Sequence, residues 1–171
     1  MDTTGISIEN RSELASSDAK DTALDCIIAG IEAAHPRTVV PEALSLNGET
    51  LTISAVDGAT ATYDLDSYDR KFVLGGGNAA GHLAAAIEAL LGDRIDGGVV
   101  VTDYSVETER VEVLPGDHPV PSERGVESAT RVRNLAERAG AKDLIIGCIT
   151  GGGSALLPAP AGELTLSDLR M

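Results

Sequence analysis

The sequence predicts an α/β protein with a mostly parallel sheet, helices on both faces of that sheet, an N-terminal helix and a small β-hairpin. From residue 70 onward, short apolar runs alternate with amphipathic runs of helical length, a pattern typical of parallel strands connected by helices. Two of the apolar runs end in glycine triplets. At 171 residues and 43% hydrophobic content, we expect one domain with its own core.

The N-terminal elements precede this alternation. Leucines and isoleucines recur at helical spacing from about Ser12 to Ala34, and Pro36 closes the segment, which predicts one amphipathic helix. Asn47 and Gly48 stand between two apolar stretches, as in the tight turn of a β-hairpin. The stretch "ATATYDLDSYD" alternates in the manner of one more strand.

The core elements follow in the order strand, helix, strand, strand, helix, strand. "KFVLGGG" predicts the first strand, and "NAAGHLAAAIEALLG" predicts a helix that ends at Gly92. The valine run of "GGVVVTD" indicates a strand buried on both faces, and "RVEVLPGDHPVP" predicts a third strand. "SERGVESATRVRNLAERAG" predicts a helix capped by Ser122 and ended by Gly140, before the last strand, "DLIIGCIT".

The charge of the chain argues against two classes of partner. There are 27 acidic and 13 basic residues, a formal net charge of -14, and such a surface repels nucleic acid and anionic membranes. The spread of the acids and the scarcity of lysine also favour a halophilic protein, because concentrated salt screens self-repulsion. No apolar run is long enough to span a bilayer, and the N-terminus lacks the features of a signal peptide, so a cytoplasmic location is expected.

Two glycine triplets are the strongest functional signal. Residues 75–77 (the first loop) follow the first core strand, and residues 151–153 (the second loop) follow the last. Ligands of parallel sheets bind at that end of the strands, and glycine backbone amides approach an anion closely. We therefore expect both loops to bind anionic groups; the alternative is a pair of tight turns without a ligand.

The first loop matches one nucleotide-binding motif in part. It lacks the Lys-Ser/Thr of a P-loop. Gly75, Gly77 and Ala80 fit Gly-x-Gly-x-x-Ala, and Asp103 ends the next strand, where dinucleotide folds place a ribose ligand. An NAD(P)H-dependent reductase is therefore an open alternative, although the spacing to Asp103 is long for the motif and the second triplet stays unexplained.

Other reactive side chains give weaker signals. Cys26 and Cys148 both lie in apolar stretches, and we expect two buried thiols, with neither a disulfide nor a metal site. Ser154 fails the Gly-x-Ser-x-Gly pattern and no histidine follows it, so we expect a hydroxyl donor and not a nucleophile. His118 lies in a loop stiffened by prolines on the presumed ligand side.

The chain resembles the N-terminal domain of the MOFRL-type glycerate 2-kinase family in three stretches, "VLGGGNAAGHLAAAIEALLGDRIDGGVVVT", "GDHPVPSERGVESA" and "TGGGSALLPAPAGELTLSDL". The resemblance covers nearly the whole chain from about Ser12. It implies a Rossmann-like domain and an enzyme that transfers the γ-phosphoryl group of ATP to the 2-hydroxyl of D-glycerate with Mg²⁺, giving 2-phosphoglycerate. Some members of this family carry the name hydroxypyruvate reductase.

The resemblance also implies a set of binding residues. The second loop matches the family's Ser-Gly-Gly-Gly-Ser, with Thr150 at its first serine, and is expected to hold phosphate or the substrate carboxylate. His118, Pro119 and Pro121 match the family's His-Pro-x-Pro segment at the cleft. Asn78 stands where the family has lysine, so either another cation such as Arg124 serves or the role has shifted. The expected site residues are Gly75, Gly76, Gly77, Asn78, His118, Gly151, Gly152, Gly153 and Ser154.

By the same resemblance, residues 1–171 form the N-terminal part of a two-domain enzyme. The later acidic and arginine-bearing segments of the family and its C-terminal domain are not found in this sequence. We therefore expect a fragment, truncated reading frame or separately encoded subunit that binds D-glycerate and ATP, has negligible kinase activity alone, and takes a separately encoded C-terminal domain or a second copy as partner. Metal ligands and any general base are expected mostly outside this chain. A non-catalytic remnant is the third alternative, beside the kinase and the reductase.

Overall fold

The computed structural model describes residues 6–170; the first residues, on which the prediction of no signal peptide rests in part, lie outside this range. The N-terminal part forms three helices, α1 (Arg11–Leu14), α2 (Asp18–Ala34) and α3 (Pro36–Ala43). This differs from the single helix predicted up to Ala34. The Ser17 hydroxyl accepts a hydrogen bond from the Lys20 amide at 3.4 Å and starts α2. Pro36 ends one helix and also begins the next, where its missing N–H costs no hydrogen bond.

A small antiparallel sheet follows, with strands β1 (Leu44–Asn47), β2 (Thr50–Ser54) and β3 (Thr60–Asp64). The predicted hairpin is confirmed, but its turn lies one residue later, at Gly48 and Glu49, because Asn47 belongs to β1 and pairs with Thr50; Gly48 has a φ of 59°. The stretch after the hairpin adds the third strand to β2. Leu51 is buried in the core that this sheet shares with the larger one.

The larger sheet has four parallel strands in the predicted order along the chain. Its strands and helices, with two short helices after them, are β4 (Arg70–Gly76), α4 (Ala80–Leu91), β5 (Gly97–Thr102), β6 (Val111–Pro115), α5 (Glu123–Arg138), β7 (Asp143–Ile149), α6 (Gly153–Leu156) and α7 (Leu166–Leu169). The spatial order is β6-β5-β4-β7, and each neighbouring pair is parallel. The predicted α/β class with a parallel sheet is confirmed.

Helices cover both faces of this sheet. One face packs against α4, where Val73 of the sheet and Ile87 of the helix are buried in the same cluster. The other face packs against α5, where Leu74 and Val99 contact the half-buried Leu135. Successive strand residues point to opposite faces, which explains why the valine run of β5 is buried throughout.

The strand β7 is less covered than its neighbours. It pairs with β4 along one edge, and no described strand pairs with its other edge. Ile145 is 44% exposed and Ile149 is 69% exposed, and both lie in register with residues of β4 on the α5 face. An apolar patch therefore remains on this strand.

The expectation of two buried thiols needs correction. Cys148 is buried, and its burial raises the pKa of the thiol to about 12, but Cys26 is exposed. Cys26 belongs to a face of α2 that no other described element covers, since α2 contains no buried residue. The predicted end of α5 is confirmed, since the helix ends at Arg138 with Ala139 as its C-cap and Gly140 directly after it. Within residues 6–170, no helix is long and apolar enough to cross a membrane.

Candidate anion-binding site

The two glycine loops meet at the carboxyl edge of β4 and β7, which are neighbours in the sheet. From β4 the chain proceeds outward through β5 and β6, and it then returns to add β7 on the other side of β4. The strand order therefore reverses between β4 and β7. Ligands of open α/β sheets bind in the crevice at such a reversal.

Gly75 and Gly76, predicted to follow the strand, are the last residues of β4, so the first loop in the structure begins at Gly77, and it uses its backbone amides within the protein. The amide of Gly77 donates to the Val101 carbonyl at 3.0 Å, and that of Asn78 donates to the Gly151 carbonyl at 2.7 Å. The amide of Ala79 donates to the Thr150 hydroxyl at 3.1 Å. These amides are not free to bind an anion in this arrangement, so the Asn78 side chain is the polar group that the loop offers to a ligand.

Close packing explains why glycine occupies positions 75 and 77. A Cβ at Gly75 would lie 2.0 Å from the Cys148 carbonyl oxygen, and one at Gly77 would lie 2.1 Å from the Thr150 hydroxyl. Real side chains do not approach this closely. A larger residue at Gly75 would therefore collide with β7, and one at Gly77 would push the two loops apart.

The second loop keeps its amides free. The backbone N–H groups of residues 151–154 donate to no acceptor in the part of the chain that the structure describes. Gly152 has a φ of 83°, a left-handed conformation that favours glycine. Four consecutive unpaired donors at the end of a parallel strand form a concentrated positive electrostatic potential. This loop is the part of the site best suited to an anionic oxygen.

The Asn78 side chain lies between this loop and Asp103. Its Nδ2 atom donates to Asp103 Oδ2 at 2.9 Å. The buried Thr102 hydroxyl donates to the backbone carbonyl oxygen of Asn78 at 3.1 Å. A Cβ at Gly152 would lie 2.0 Å from Asn78 Oδ1, so the side-chain oxygen lies directly over the second loop.

The loop that carries His118 approaches from the side of α5. The His118 Cδ2 atom would lie 3.1 Å from a Cβ at Gly152, so the imidazole borders the second loop. In the same segment, hydrogen bonds from Ser122 and then Arg124 lower the pKa of Asp117. Arg124 forms an ion pair with Asp117, and its charge is therefore partly engaged and not fully available to a bound anion.

The structure thus joins most of the predicted site residues. Asn78, His118 and Gly152 come together, and Ser154 is exposed at the start of α6. The sequence did not predict the role of Thr150, whose hydroxyl ties the two loops together, because only the pairing of β4 with β7 brings them into contact. No three His, Cys, Asp or Glu side chains among the described residues converge as they would around a metal ion.

Together, the parallel sheet, the reversal of strand order and the glycine loops at that point define a Rossmann-like α/β protein with a candidate anion-binding site. The family described as "Domain of unknown function (DUF4147)" matches residues 22–171. The chain therefore belongs to this family.

Known relatives confirm the resemblance to glycerate 2-kinases. A glycerate 2-kinase of Pyrococcus horikoshii is 28% identical over 90% of this chain and 33% of its own length. A protein of Agrobacterium vitis with a provisional hydroxypyruvate reductase name is 40% identical over 59% of this chain and 24% of its own. A crystal structure of a Pyrococcus horikoshii protein superposes with a TM-score of 0.72 at 28% identity, over 90% of this chain and 34% of that one. The chain spans about a third or less of the length of these relatives.

Proposed function

We propose that this chain takes part in the ATP-dependent phosphorylation of D-glycerate to 2-phosphoglycerate. The observation that carries the proposal is the row of four free amides at residues 151–154, at the strand reversal of a chain whose relatives include a glycerate 2-kinase. Phosphoryl transfer depends on positioning and on stabilising negative charge more than on covalent chemistry. Free backbone donors supply both.

The side chains around the second loop have complementary roles in this proposal. The amides hold an oxygen of a phosphate or carboxylate, Ser154 adds a hydroxyl donor and His118 borders the same space. The ligands of Mg²⁺ would lie mostly outside residues 1–171, since Mg²⁺ is commonly bound by one or two carboxylates and the substrate phosphates and no such cluster is found among the described residues. When bound, Mg²⁺ would neutralise charge on the transferred group.

Catalysis in this proposal needs more protein than residues 1–171, which we assign as the N-terminal domain. The relatives are about three times as long, and β7 has a free edge with Ile145 and Ile149 exposed. A further domain that adds a parallel strand to this edge and covers the apolar patch would complete the cleft. We propose a C-terminal domain for this role, with a second copy of the chain as the alternative.

Two measurements test the function. Calorimetric titration of the chain with D-glycerate and with ATP-Mg²⁺ is expected to show binding, and a coupled assay is expected to show negligible release of ADP by the chain alone. Heat from neither ligand would favour the non-catalytic remnant. Glycerate-dependent release of ADP by the chain alone would overturn the need for a further domain.

A hydroxypyruvate reductase is the second candidate. It is favoured by the name of the Agrobacterium vitis relative and by the match of Gly75, Gly77 and Ala80 to the dinucleotide motif. The engaged amides of the first loop count against it, because a dinucleotide pyrophosphate needs free amides there. Oxidation of NADH in the presence of hydroxypyruvate, unaffected by ATP, would favour the reductase.

A further inference from the structure

The orientation of the Asn78 side chain follows from the chemistry of its neighbour. Asn78 Nδ2 donates to Asp103 Oδ2 at 2.9 Å, while the one proton of the Thr102 hydroxyl goes to the backbone carbonyl oxygen of Asn78 at 3.1 Å. An ionised carboxylate accepts hydrogen bonds and donates none. The Asn78 amide must therefore turn its NH₂ group to Asp103 and its carbonyl oxygen to the opposite side.

That carbonyl oxygen is directed at the second loop. A Cβ at Gly152 would lie 2.0 Å from Asn78 Oδ1 but 2.8 Å from Asn78 Cγ, so the oxygen is the atom that points there. Asn78 Oδ1 accepts no hydrogen bond from the described residues. None of their side-chain nitrogen or oxygen atoms is both buried and unpaired, so this oxygen is open to solvent. A free acceptor thus stands beside four free donors.

The two kinds of group suit different parts of one ligand. An anionic oxygen is attracted to the amides of residues 151–154 but repelled by the Asn78 oxygen and the Asp103 carboxylate. A hydroxyl group shows the reverse preference at Asn78, because it donates its proton to a carbonyl oxygen. A ligand that carries a hydroxyl next to a carboxylate or phosphate satisfies both.

We propose that Asp103 is a positioning residue that fixes the Asn78 amide, so that position 78 selects the hydroxyl group of a hydroxy acid and not its anionic group. The proposal rests on the proposed function, for which D-glycerate is such a ligand. It attributes the selection of a hydroxyl group to Asn78 Oδ1, which acts as a hydrogen-bond acceptor. Asn78 contacts the ligand, and Asp103 acts through Asn78.

The test compares two ligands that differ in hydroxyl groups. The ratio of the Kd of propionate to the Kd of D-glycerate is measured by calorimetry for the wild-type chain, Asn78→Ala, Asp103→Asn and the double variant. Removal of the Asp103 charge changes the binding of both anions alike, so the ratio reports the hydroxyl contact. We expect a wild-type ratio of about tenfold, which is the size of one well-made hydrogen bond, and about twofold in Asn78→Ala.

The double variant distinguishes an effect of Asp103 that acts through Asn78 from an effect of Asp103 that does not need Asn78. In Asp103→Asn, the new side-chain amide could donate or accept, so the Asn78 amide would no longer be held in one orientation. Asp103→Asn is expected to lower the ratio about threefold when Asn78 is present and to leave it unchanged when residue 78 is alanine. An equal fall in both backgrounds, or a wild-type ratio below about twofold, would overturn the proposal.

A second measurement does not depend on the variants. In ¹⁵N NMR spectra of the wild-type chain, one Nδ2 proton of Asn78 is expected to stay hydrogen-bonded with and without D-glycerate, and loss of that bond on binding would overturn the proposal. Neither test uses nucleotide or turnover. A chain that selects the hydroxyl but never supports ADP release, even with a completing domain, would refute the kinase and leave this inference standing.

Discussion

Gly152 lies under the Asn78 side chain and beside the His118 ring, with a φ of 83°. In the variant Gly152→Ala, the new methyl group would meet Asn78 Oδ1 at 2.0 Å, and the left-handed backbone would cost about 1–2 kcal/mol. We expect the thermal unfolding midpoint to fall and the affinity for D-glycerate to drop at least about tenfold, since both the loop and Asn78 must move.

The neighbouring glycine provides a matched control. A Cβ at Gly151 meets no atom within 4 Å, and its backbone is not left-handed. Gly151→Ala keeps the free amide, so the affinity for D-glycerate is expected to change by less than about twofold. An affinity for D-glycerate that stays unchanged in Gly152→Ala would show that the second loop does not bind the ligand.

The two glycine triplets also show what residue types alone can predict. Both were expected to bind anions, because glycine amides after a parallel strand suit that role. The structure gives them different tasks: the first packs against the second, and only the second keeps its amides free. The distinction depends on which strand lies next to β4, a tertiary contact that no local pattern in the sequence contains.

At the level of elements, Arg70 and Asp143 join the starts of the neighbouring strands β4 and β7. Arg70 Nε and Nη2 donate to the two carboxylate oxygens at 3.1 and 2.6 Å. The hydrogen bond from Arg70, followed by that from the Gly140 amide, lowers the pKa of Asp143 below its usual 3.8. A carboxyl whose pKa is lower in the folded state stabilises the fold above its unfolded pKa and loses that contribution as the pH falls.

This pair gives a prediction for acid stability. Asp143→Asn is expected to unfold at a lower temperature than the wild type at pH about 7, and the difference is expected to shrink as the pH falls below about 4. Thermal unfolding followed by circular dichroism across this range measures it. Asp93→Asn, at a side chain that is 84% exposed, is the control and should change little. A difference for Asp143→Asn that stays constant down to strongly acidic pH would exclude the charged pair as its cause.

Most elements of the main sheet could be predicted because their signals are local. The valine run of β5 and the apolar stripe of α4 indicate burial directly. Pro36 was harder to interpret, since proline both ends a helix and suits the first turn of another. The exposed face of α2 was also missed, because an apolar stripe predicts a buried face and cannot tell which protein surface buries it.

For the whole molecule, strand order is what creates the site. β5 and β6 extend the sheet on one side of β4, and β7 extends it on the other, so the loops after β4 and β7 meet at the point where the strand order reverses. The same order leaves the far edge of β7 unpaired among the described residues. The site and the surface proposed for a further domain therefore belong to the same strand, and whatever binds that edge would stand next to the second loop.

The net charge of the whole chain is -14, and mutual repulsion of its acids opposes folding unless salt screens it. We expect the thermal unfolding midpoint to rise as KCl is increased from roughly 0.05 M to about 1 M, over which the screening length falls to about 3 Å.

A variant with reduced charge provides the control. In it, glutamine replaces four exposed acids that form no ion pair among the described residues, Glu42, Glu107, Glu127 and Glu163. This variant should be more stable than the wild type in low salt and should gain less from KCl, because it has less repulsion to screen. A midpoint that stays flat or falls with salt would reject the halophilic assignment, and an equal gain in both proteins would attribute the effect to general salting-out and not to charge.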